Sequence, residues 1–370
     1  MRALLILIAC AAGCGDNVLG SVRLVTTAEL APVMRELAEF ASTDIVVEVA
    51  ADPSRVAGDG LIISARIDPS FAGSHEGYRI DLDAAARADA AAQRVASGDV
   101  LGVQYGVAHA LENLGFRFRH PFASAAPREL GFVADPASFP INEAPEVDDV
   151  RGFQFHTLHP IETYFALWEP SPRNLRDARR ILDWVIKNRG NYVQWSALEN
   201  MMTPAEHPPW LAHTLAINQT AHARGLRTGI GMQIFGSGNL QRAFDLYDEE
   251  EGGPSFTEQL NARLPFLTGA GFDTYSIAFG EFFGEEPQAM IDAVNETVGA
   301  IYAHDPDAEV TASVHVGYDQ RVSYMGEEDI LYYFLVKYAD PRIIPNVHTV
   351  MYYPLEDAGQ AYHHPDFLEH

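Results

Sequence analysis

The sequence predicts an α/β protein whose larger part is a TIM-type (β/α) barrel, incomplete at the C-terminus and preceded by a small α+β domain. From Val150 onward, strand-like runs alternate with helical patterns, an order typical of βαβ units with a parallel sheet. Within the runs, large apolar residues alternate with small or polar ones. One run, Phe272–Phe283, passes through Gly280-Glu281, and chemistry in such barrels lies at the carboxyl ends of the strands.

Residues 1–14 predict an export signal. Met1-Arg2 is a minimal basic start, and Ala3–Ala9 is an apolar stretch too short to span a bilayer. The following Ala11-Ala12-Gly13-Cys14 resembles the lipobox of bacterial lipoproteins, with Ala11 where leucine is usual. This resemblance implies that Cys14 becomes a lipidated first residue and anchors the protein to the bacterial cell envelope. The alternative is a plain secretory signal cleaved nearby, and both interpretations export the protein.

The composition excludes some partners and chemistries. The 370 residues include 51 acidic and 25 basic ones, for a formal net charge of −26. A surface of this sign repels phosphate backbones, so we expect no nucleic-acid partner. The only cysteines, Cys10 and Cys14, lie in the leader, so the mature chain has no disulfide framework and no thiol nucleophile. We expect no cofactor, and the oligomeric state stays open.

Residues 20–135 predict the α+β domain, followed by a linker near Asp135–Glu146. Ala28–Phe40 has apolar residues at helical spacing, and Val100–Leu114 is a second helix with Gly115 as a favourable cap. The Ala-rich run Asp83–Ala96 leaves open a helix or a further hairpin strand. The predicted strands are Ser21–Thr26, Ile45–Val49, Leu61–Ala65 and Tyr78–Leu82.

Part of this domain resembles the N-terminal α+β domain of family-20 and family-67 glycoside hydrolases. The resemblance is carried by the stretches GYRIDL (Gly77–Leu82) and GDVLGVQYGVAHALENLGFRFRHP (Gly98–Pro121). In those families a strand precedes a Gly-x-x-Tyr-Gly helix and then Leu-Gly-x-Arg-(Phe/Trp)-x-x-Pro. The residues that fit are Gly102, Tyr105, Gly106, Leu111, Leu114, Gly115, Arg117, Phe118 and Pro121. The resemblance implies that a (β/α)₈ barrel follows and that this domain is not itself catalytic.

The barrel is predicted over residues 148–370. The run RRILDWVIKNRGNYVQW (Arg179–Trp195) resembles the first helix and second strand of the same barrel families. The predicted helices are Asn174–Asn188, His207–Arg224, Thr257–Gly269, Gln288–His304 and Asp329–Tyr338. The predicted strands are Arg151–His156, Asn191–Ser196, Arg227–Phe235, Phe272–Phe283, Glu309–Val316 and Asn346–Tyr353. Because an eight-stranded barrel needs two more units, we expect the last units to be missing or divergent.

Strand parity predicts a polar mouth for this barrel. Side chains alternate along a strand, and here the small or polar parity faces the lumen. The predicted substrate-binding residues on that parity are Gln154, His156, Gln194, Gln233 and His315. Amides and imidazoles both donate and accept hydrogen bonds, which suits a hydroxyl-rich carbohydrate ligand. The alternative is that individual members are core polar groups satisfied within the protein.

Three carboxylates are the catalytic candidates. Glu281 follows the fourth strand, where the resemblance implies a general acid. Family-20 enzymes carry Asp-Glu there, so the pair behind their substrate-assisted mechanism is incomplete in this chain, which has Gly280-Glu281. Glycoside hydrolysis uses a second carboxyl group, for which Glu356 and Asp357 after the sixth strand are candidates. Phe282 and Tyr352 beside these acids are candidates for stacking on sugar rings.

Two other functions compete with a glycosidase. A metal-dependent hydrolase is a rival because the chain has 14 histidines, but His156-x-x-His159 lacks the His-x-His spacing usual on a first barrel strand, so no metal is expected. A non-catalytic glycan-binding or scaffold lipoprotein is the rival from another class. Such a protein would bind a glycan at the polar mouth but would lack a functional pair of catalytic carboxylates.

Overall fold

A computed structural model describes residues 21–56, 60–87, 90–145, 150–155, 161–234, 244–247, 252–279, 286–314 and 321–346. The chain divides into two compact units. The first comprises Met1–Gly152, Asp177–Tyr192 and Thr220–Leu226, and the second comprises Phe153–Arg176, Val193–Gln219 and Arg227–His370. The export signal with Cys14 lies outside the described residues, and the domain boundaries drawn from sequence stay a prediction.

The first unit contains a mixed six-stranded sheet with the order β2-β1-β3-β5-β4-β8. Its elements are β1 (Val22–Thr26), α1 (Ala31–Glu39), β2 (Ile45–Val49), β3 (Leu61–Ile67), β4 (Tyr78–Arg87), β5 (Ala90–Ser97), α2 (Val100–Glu112), β6 (Arg117–His120), β7 (Ala123–Ala125) and β8 (Ile141–Glu143). Strands β1, β2, β3 and β5 are parallel, whereas β4 is antiparallel to β5 and β8. The hairpin alternative for Asp83–Ala96 is therefore confirmed.

The Gly-x-x-Tyr-Gly pattern of helix α2 has a packing explanation. A Cβ atom on Gly102 would lie 2.3 Å from Ser97 Oγ, and one on Gly106 would lie 2.4 Å from Val95 Cγ1. Both glycines therefore allow α2 to approach the sheet more closely than any other residue would. The hydroxyl of Tyr105, between them, donates a hydrogen bond to the carbonyl of Gly190 at 2.9 Å. The motif thus has a structural role in this domain.

The second unit contains a six-stranded sheet with the order β16-β13-β12-β11-β10-β9. The elements from residue 152 on are β9 (Gly152–Phe155), α3 (Ile161–Trp168), α4 (Pro172–Lys187), β10 (Tyr192–Ser196), α5 (His207–Ala223), β11 (Arg227–Gln233), α6 (Phe256–Arg263), α7 (Pro265–Thr268), β12 (Thr274–Phe279), α8 (Pro287–His304), β13 (Glu309–Val314), β14 (Arg321–Tyr324), β15 (Glu327–Leu331) and β16 (Ile344–Pro345). From Asp177 to its end, α4 belongs to the first unit. Strands β11, β12, β13 and β16 are parallel. The chain is therefore a mixed α/β protein with helices between parallel strands.

The predicted helix Asp329–Tyr338 is wrong. The segment instead holds the end of strand β15, which pairs antiparallel with β14, and then a 3₁₀ helix over Tyr332–Tyr338. Met325 and Gly326 both have positive φ, as a tight hairpin turn requires, and Asp329 has φ of 66°. Backbone of this kind cannot continue an α-helix. The sixth strand of the sheet begins at Ile344, two residues before its predicted start, and most of its predicted length lies outside the described residues.

Among the described residues, no helix combines the length and the apolar character needed to cross a membrane.

Candidate functional site

The register of the second sheet places the small and polar residues on one face. Gly231 on β11 pairs with Ser276 on β12, and Ser276 pairs with Thr311 on β13. One step nearer the carboxyl ends, Gln233, Ala278 and Ser313 form the next row. Directly paired residues of parallel strands point to the same side of the sheet. The intervening row, Met232, Ile277 and Ala312, points to the opposite side and is buried.

Gln194 on β10 lies over the gap left by Gly231. A Cβ atom on Gly231 would lie 3.5 Å from Gln194 Nε2 and 3.4 Å from Ser196 Oγ, so these groups share the polar face. The end of β10 is held by helix α3, because Trp168 Nε1 donates a hydrogen bond of 2.6 Å to the carbonyl of Ser196. Trp168 is fully buried. The carboxyl end of β10 is thus a fixed part of the polar face.

The segment Phe244–Tyr247 adds a carboxylate at the carboxyl end of β11. Its backbone pairs with the strand ends: Phe244 N–H donates to the carbonyl of Ala197 at 3.0 Å, and Leu246 N–H donates to that of Gln233 at 2.9 Å. Between these bonds, Asp245 Oδ1 accepts a hydrogen bond of 3.0 Å from Gln233 Nε2. Asp245 is half-buried. Sequence reasoning missed this residue, although the apolar-polar alternation of Phe244–Tyr247 is a signal of extended chain.

A second acid, Glu199, lies just beyond β10. Its Oε1 accepts a hydrogen bond of 2.9 Å from Arg263 Nη2, and this guanidinium also lies over the ring of Phe244, 4.8 Å from its centroid. The arginine therefore connects the segments that follow β10 and β11. Glu199 itself is largely exposed and forms the first turn of a 3₁₀ helix. The ion pair with Arg263 gives Glu199 a structural role between these two segments.

The structure places three of the predicted site residues. Gln194 and Gln233 are buried, with 3% and 1% exposure, whereas Gln154 on β9 is exposed. Glu281 comes two residues after the end of β12 and lies outside the described residues. The other predicted site residues outside them are His156, Phe282, His315, Tyr352, Glu356 and Asp357. The binding and catalytic roles of the whole set stay predictions.

The described part of the second unit contains one histidine with a perturbed pKa. His213 on α5 is buried, and its Nε2 lies 2.8 Å from the carbonyl oxygen of Ala166. Burial lowers the pKa of His213 below its usual range, and the bond to the carbonyl opposes this only in part. The neutral ring is therefore favoured, with its Nε2–H donating. Within the described ranges, no group of three or more His, Cys, Asp or Glu side chains is placed to hold a metal ion.

Solved structures similar to this chain include glycoside hydrolases. CpGH84B has a TM-score of 0.48 and 13% identity, with 88% of this chain and 52% of that protein covered. A GH20 exo-β-N-acetylglucosaminidase from Vibrio harveyi, in complex with N-acetylglucosamine, has a TM-score of 0.48, 8% identity and coverages of 80% and 51%. A mutant Streptomyces plicatus β-hexosaminidase, in complex with its product GlcNAc, has a TM-score of 0.48, 15% identity and coverages of 80% and 61%. This chain thus spans about half to three fifths of their lengths. No family model and no curated protein sequence matches it.

Proposed function

We propose that this chain is an exported glycoside hydrolase-like protein that acts on an oligo- or polysaccharide by carboxylate acid/base catalysis. The observation that carries the proposal is the polar face of the second sheet. Its rows of glycine, serine, threonine and glutamine end beside Asp245, at the carboxyl ends of β10 and β11. Glu281 follows the next strand, β12, in sequence. Hydrogen-bonding amides next to carboxylates form the kind of site that binds a sugar and hydrolyses its linkage.

The fold that we propose for the second unit is part of a (β/α)₈ barrel. The parallel register of β11, β12, β13 and β16 supports it, with helices α6 and α7 between β11 and β12 and helix α8 between β12 and β13. In such a barrel the polar face lines the lumen and the strand ends form the mouth. The resemblance of the first unit's sequence to the domain that precedes glycosidase barrels supports the same interpretation.

In the proposed reaction, Glu281 is the general acid. Its protonated carboxyl group donates a proton to the glycosidic oxygen as the bond from that oxygen to the anomeric carbon breaks. Glu356 or Asp357 is the second carboxylate, which either activates water or attacks the anomeric carbon directly. The distance between the two carboxyl groups decides between these routes. In both routes, one molecule of water is consumed in hydrolysing the glycosidic bond.

Several other groups have proposed roles in holding the substrate. Gln194 and Gln233, with Gln154, His156 and His315, supply hydrogen bonds to sugar hydroxyl groups. The interaction between Gln233 and Asp245 orients the glutamine amide, because the carboxylate accepts from its nitrogen and thereby fixes which way its oxygen points. Phe282 and Tyr352 supply apolar faces for the sugar rings.

A panel of aryl glycosides tests this function. The purified chain is incubated with aryl α- and β-glycosides of glucose, N-acetylglucosamine, xylose and glucuronic acid, and release of the aryl alcohol is followed. We expect turnover of at least one member and none with heat-unfolded protein. If no member is hydrolysed while calorimetry detects oligosaccharide binding, the non-catalytic glycan-binding function replaces the enzyme. If there is neither turnover nor binding, both functions fail.

A further inference from the structure

The first unit contains an open cleft with a volume of about 640 Å³. It lies between the segment that follows β3, the beginning of β4 and the end of β8. The residues that matter for its chemistry are Arg66, Asp68, Phe71, Arg79, Asp81 and Asn142. A volume in this range is that of typical small-molecule sites, about 300–1,000 Å³.

The segment that forms one wall of the cleft is fixed by hydrogen bonds. Asp68 N–H donates to the carbonyl of Ser97 at 2.7 Å, and Asp68 Oδ1 accepts from both the N–H and the hydroxyl of Ser70, at 3.0 and 2.6 Å. At the other end of the segment, Gly77 N–H donates to the carbonyl of Ser74 at 2.9 Å. A wall fixed in this way loses little conformational freedom when a ligand binds.

A buried cluster anchors the same segment more deeply. Glu76 has a left-handed backbone with φ of 59°, and its side chain is almost fully buried. Its carboxylate accepts hydrogen bonds from Asn191 Nδ2 at 3.0 Å and from Arg151, and the hydroxyl oxygen of Tyr105 lies 3.3 Å from it. A backbone conformation that glutamate rarely adopts persists only where its surroundings determine it. The cleft is therefore built on a rigid base.

The charges in the cleft are paired, which decides the class of ligand. Arg66 and Asp68 form an ion pair of 2.8 Å, and Arg79 and Asp81 form one of 2.7 Å with two further contacts from Arg79 Nε. With Glu143, two arginines face three carboxylates, which leaves one net negative charge. An anionic ligand would therefore gain no net electrostatic attraction in this cleft. Neighbouring hydroxyl groups of a neutral sugar, by contrast, can donate to the carboxylates and accept from the guanidinium groups.

Phe71 offers an apolar surface beside these pairs. Its ring lies against Gly73 and Gly98: Cβ atoms on these glycines would be 2.2 Å and 3.8 Å from it. The side chain is half-buried, so part of it stays accessible in the cleft. The Phe71 ring gives the cleft an apolar surface, and the neighbouring ion pairs give it a polar one. A sugar ring has matching parts, since its C–H face is apolar and its hydroxyl groups are polar.

We propose that this cleft binds a neutral oligosaccharide, independently of the catalytic function proposed for the second unit. Phe71 stacks on a sugar ring, and the two arginine–aspartate pairs and Asn142 bind its hydroxyl groups. Such a site holds the protein on a glycan without cleaving it. Its presence does not depend on the activity of Glu281.

Calorimetric titration of the full chain tests this site. Cellotriose, N,N′,N″-triacetylchitotriose and xylotriose are the neutral probes, and trigalacturonate is the anionic one. The Glu281→Gln background is used throughout, so that no probe is consumed even if Glu281 is catalytic. We expect at least one neutral trisaccharide to bind, and trigalacturonate to bind more weakly than that probe.

Two variants locate the binding. Phe71→Ala removes the ring, and Gly73→Ala displaces it while only a ring edge has to move, so the second variant is expected to fold even if the first does not. Each is expected to weaken binding by about tenfold, the loss of about 1.4 kcal/mol of contact. Gly299→Ala, at a position with open space around it, is the matched control and leaves the affinity unchanged. The proposal is overturned if no neutral probe binds, if trigalacturonate binds best, or if Gly73→Ala binds as the control does.

Discussion

Asp183 is a buried carboxylate that two cations share. Its Oδ1 accepts a hydrogen bond of 2.7 Å from Arg224 Nη2, and its other oxygen pairs with Lys187 one helical turn further along α4. Burial lowers the pKa of Lys187, and the carboxylate of Asp183 opposes this effect. Lys187 also donates to the carbonyl of Leu37 at 2.9 Å, so its charge is solvated by protein groups. All of these groups belong to the first unit, and their stabilising effect depends on every partner being present.

We predict that Asp183→Ala destabilises the protein by about 3–5 kcal/mol, because it leaves two buried cations without their carboxylate. Chemical unfolding followed by circular dichroism measures the loss. Glu48→Ala is the matched control: Glu48 pairs with Arg23 at 2.8 Å, but both side chains are about one third exposed. Removing such a surface pair costs about 0–1 kcal/mol. If both variants lost the same free energy of unfolding, the buried ion pairs of Asp183 would contribute no more to stability than an exposed pair.

His213 gives the stability a dependence on pH. Because burial lowers its pKa in the folded protein, the unfolded chain takes up the proton first as the pH falls. The contribution of the neutral ring is therefore complete above about pH 6.5, the ordinary pKa of histidine, and is lost progressively below it.

We predict that His213→Gln flattens this dependence, since the amide still donates to Ala166 but does not titrate. Unfolding free energies measured at pH 7.5 and 5.5 should fall more for the parent than for the variant, by at most about 1.4 kcal/mol per pH unit. His304→Gln changes an exposed histidine and should leave the dependence as it is in the parent. An unchanged dependence in His213→Gln contradicts the prediction.

At the scale of elements, the beginning of strand β9 depends on a close backbone contact at Gly152. A Cβ atom on Gly152 would lie 1.9 Å from the carbonyl oxygen of Tyr192 and 2.6 Å from its carbonyl carbon. Both atoms are backbone, so no side-chain movement can relieve the clash. The neighbouring N–H groups of Asn191 and Tyr192 both donate to the carbonyl of Arg151, at 2.7 and 3.2 Å. The beginning of β9 is therefore fixed against the beginning of β10.

We predict that Gly152→Ala lowers the free energy of unfolding by about 1–3 kcal/mol, the usual cost of overpacking. The same substitution at Gly299, in the middle of helix α8 with no atom within 4 Å of the added methyl group, should raise it by about 1 kcal/mol. Thermal unfolding of the two variants and of the parent protein measures both changes in stability. Opposite shifts support the contact, and a neutral Gly152→Ala refutes it.

At the scale of the whole molecule, the sequence predicted those elements for which residue composition and apolar-polar alternation indicate the same structure. Ile45–Val49 is a strand with the predicted bounds, and the parity of β11 through β13 follows from their side-chain alternation. The Ala-rich run before Ser97 could not be resolved from sequence because its strand is determined by pairing with β4 rather than by composition. Asp245 was missed for a similar reason, since its place beside Gln233 depends on backbone bonds to two distant strands.

The proposed export also concerns the whole molecule. We predict that the mature protein begins at Cys14 and carries a lipid there. Intact-mass analysis of protein purified from a bacterial host should show loss of residues 1–13 and a diacylglycerol-sized addition. Cys14→Ala should abolish the addition, and Cys10→Ala, a change within the same leader, should leave it. An unmodified Met1 on protein in the soluble cytosolic fraction would end the idea.

The central claim is that Glu281 protonates the leaving group of a glycoside, and Glu281→Gln tests it most directly. The amide keeps the shape of the side chain but has no proton to give, so turnover should fall by about 10²–10⁴-fold while binding of oligosaccharide persists. Glu286→Gln is the matched control, because Glu286 is exposed and caps helix α8 without a side-chain hydrogen bond. We predict a steady-state rate near the parent's for Glu286→Gln and a large loss for Glu281→Gln. Equal rates for both variants on every hydrolysed aryl glycoside would contradict the account.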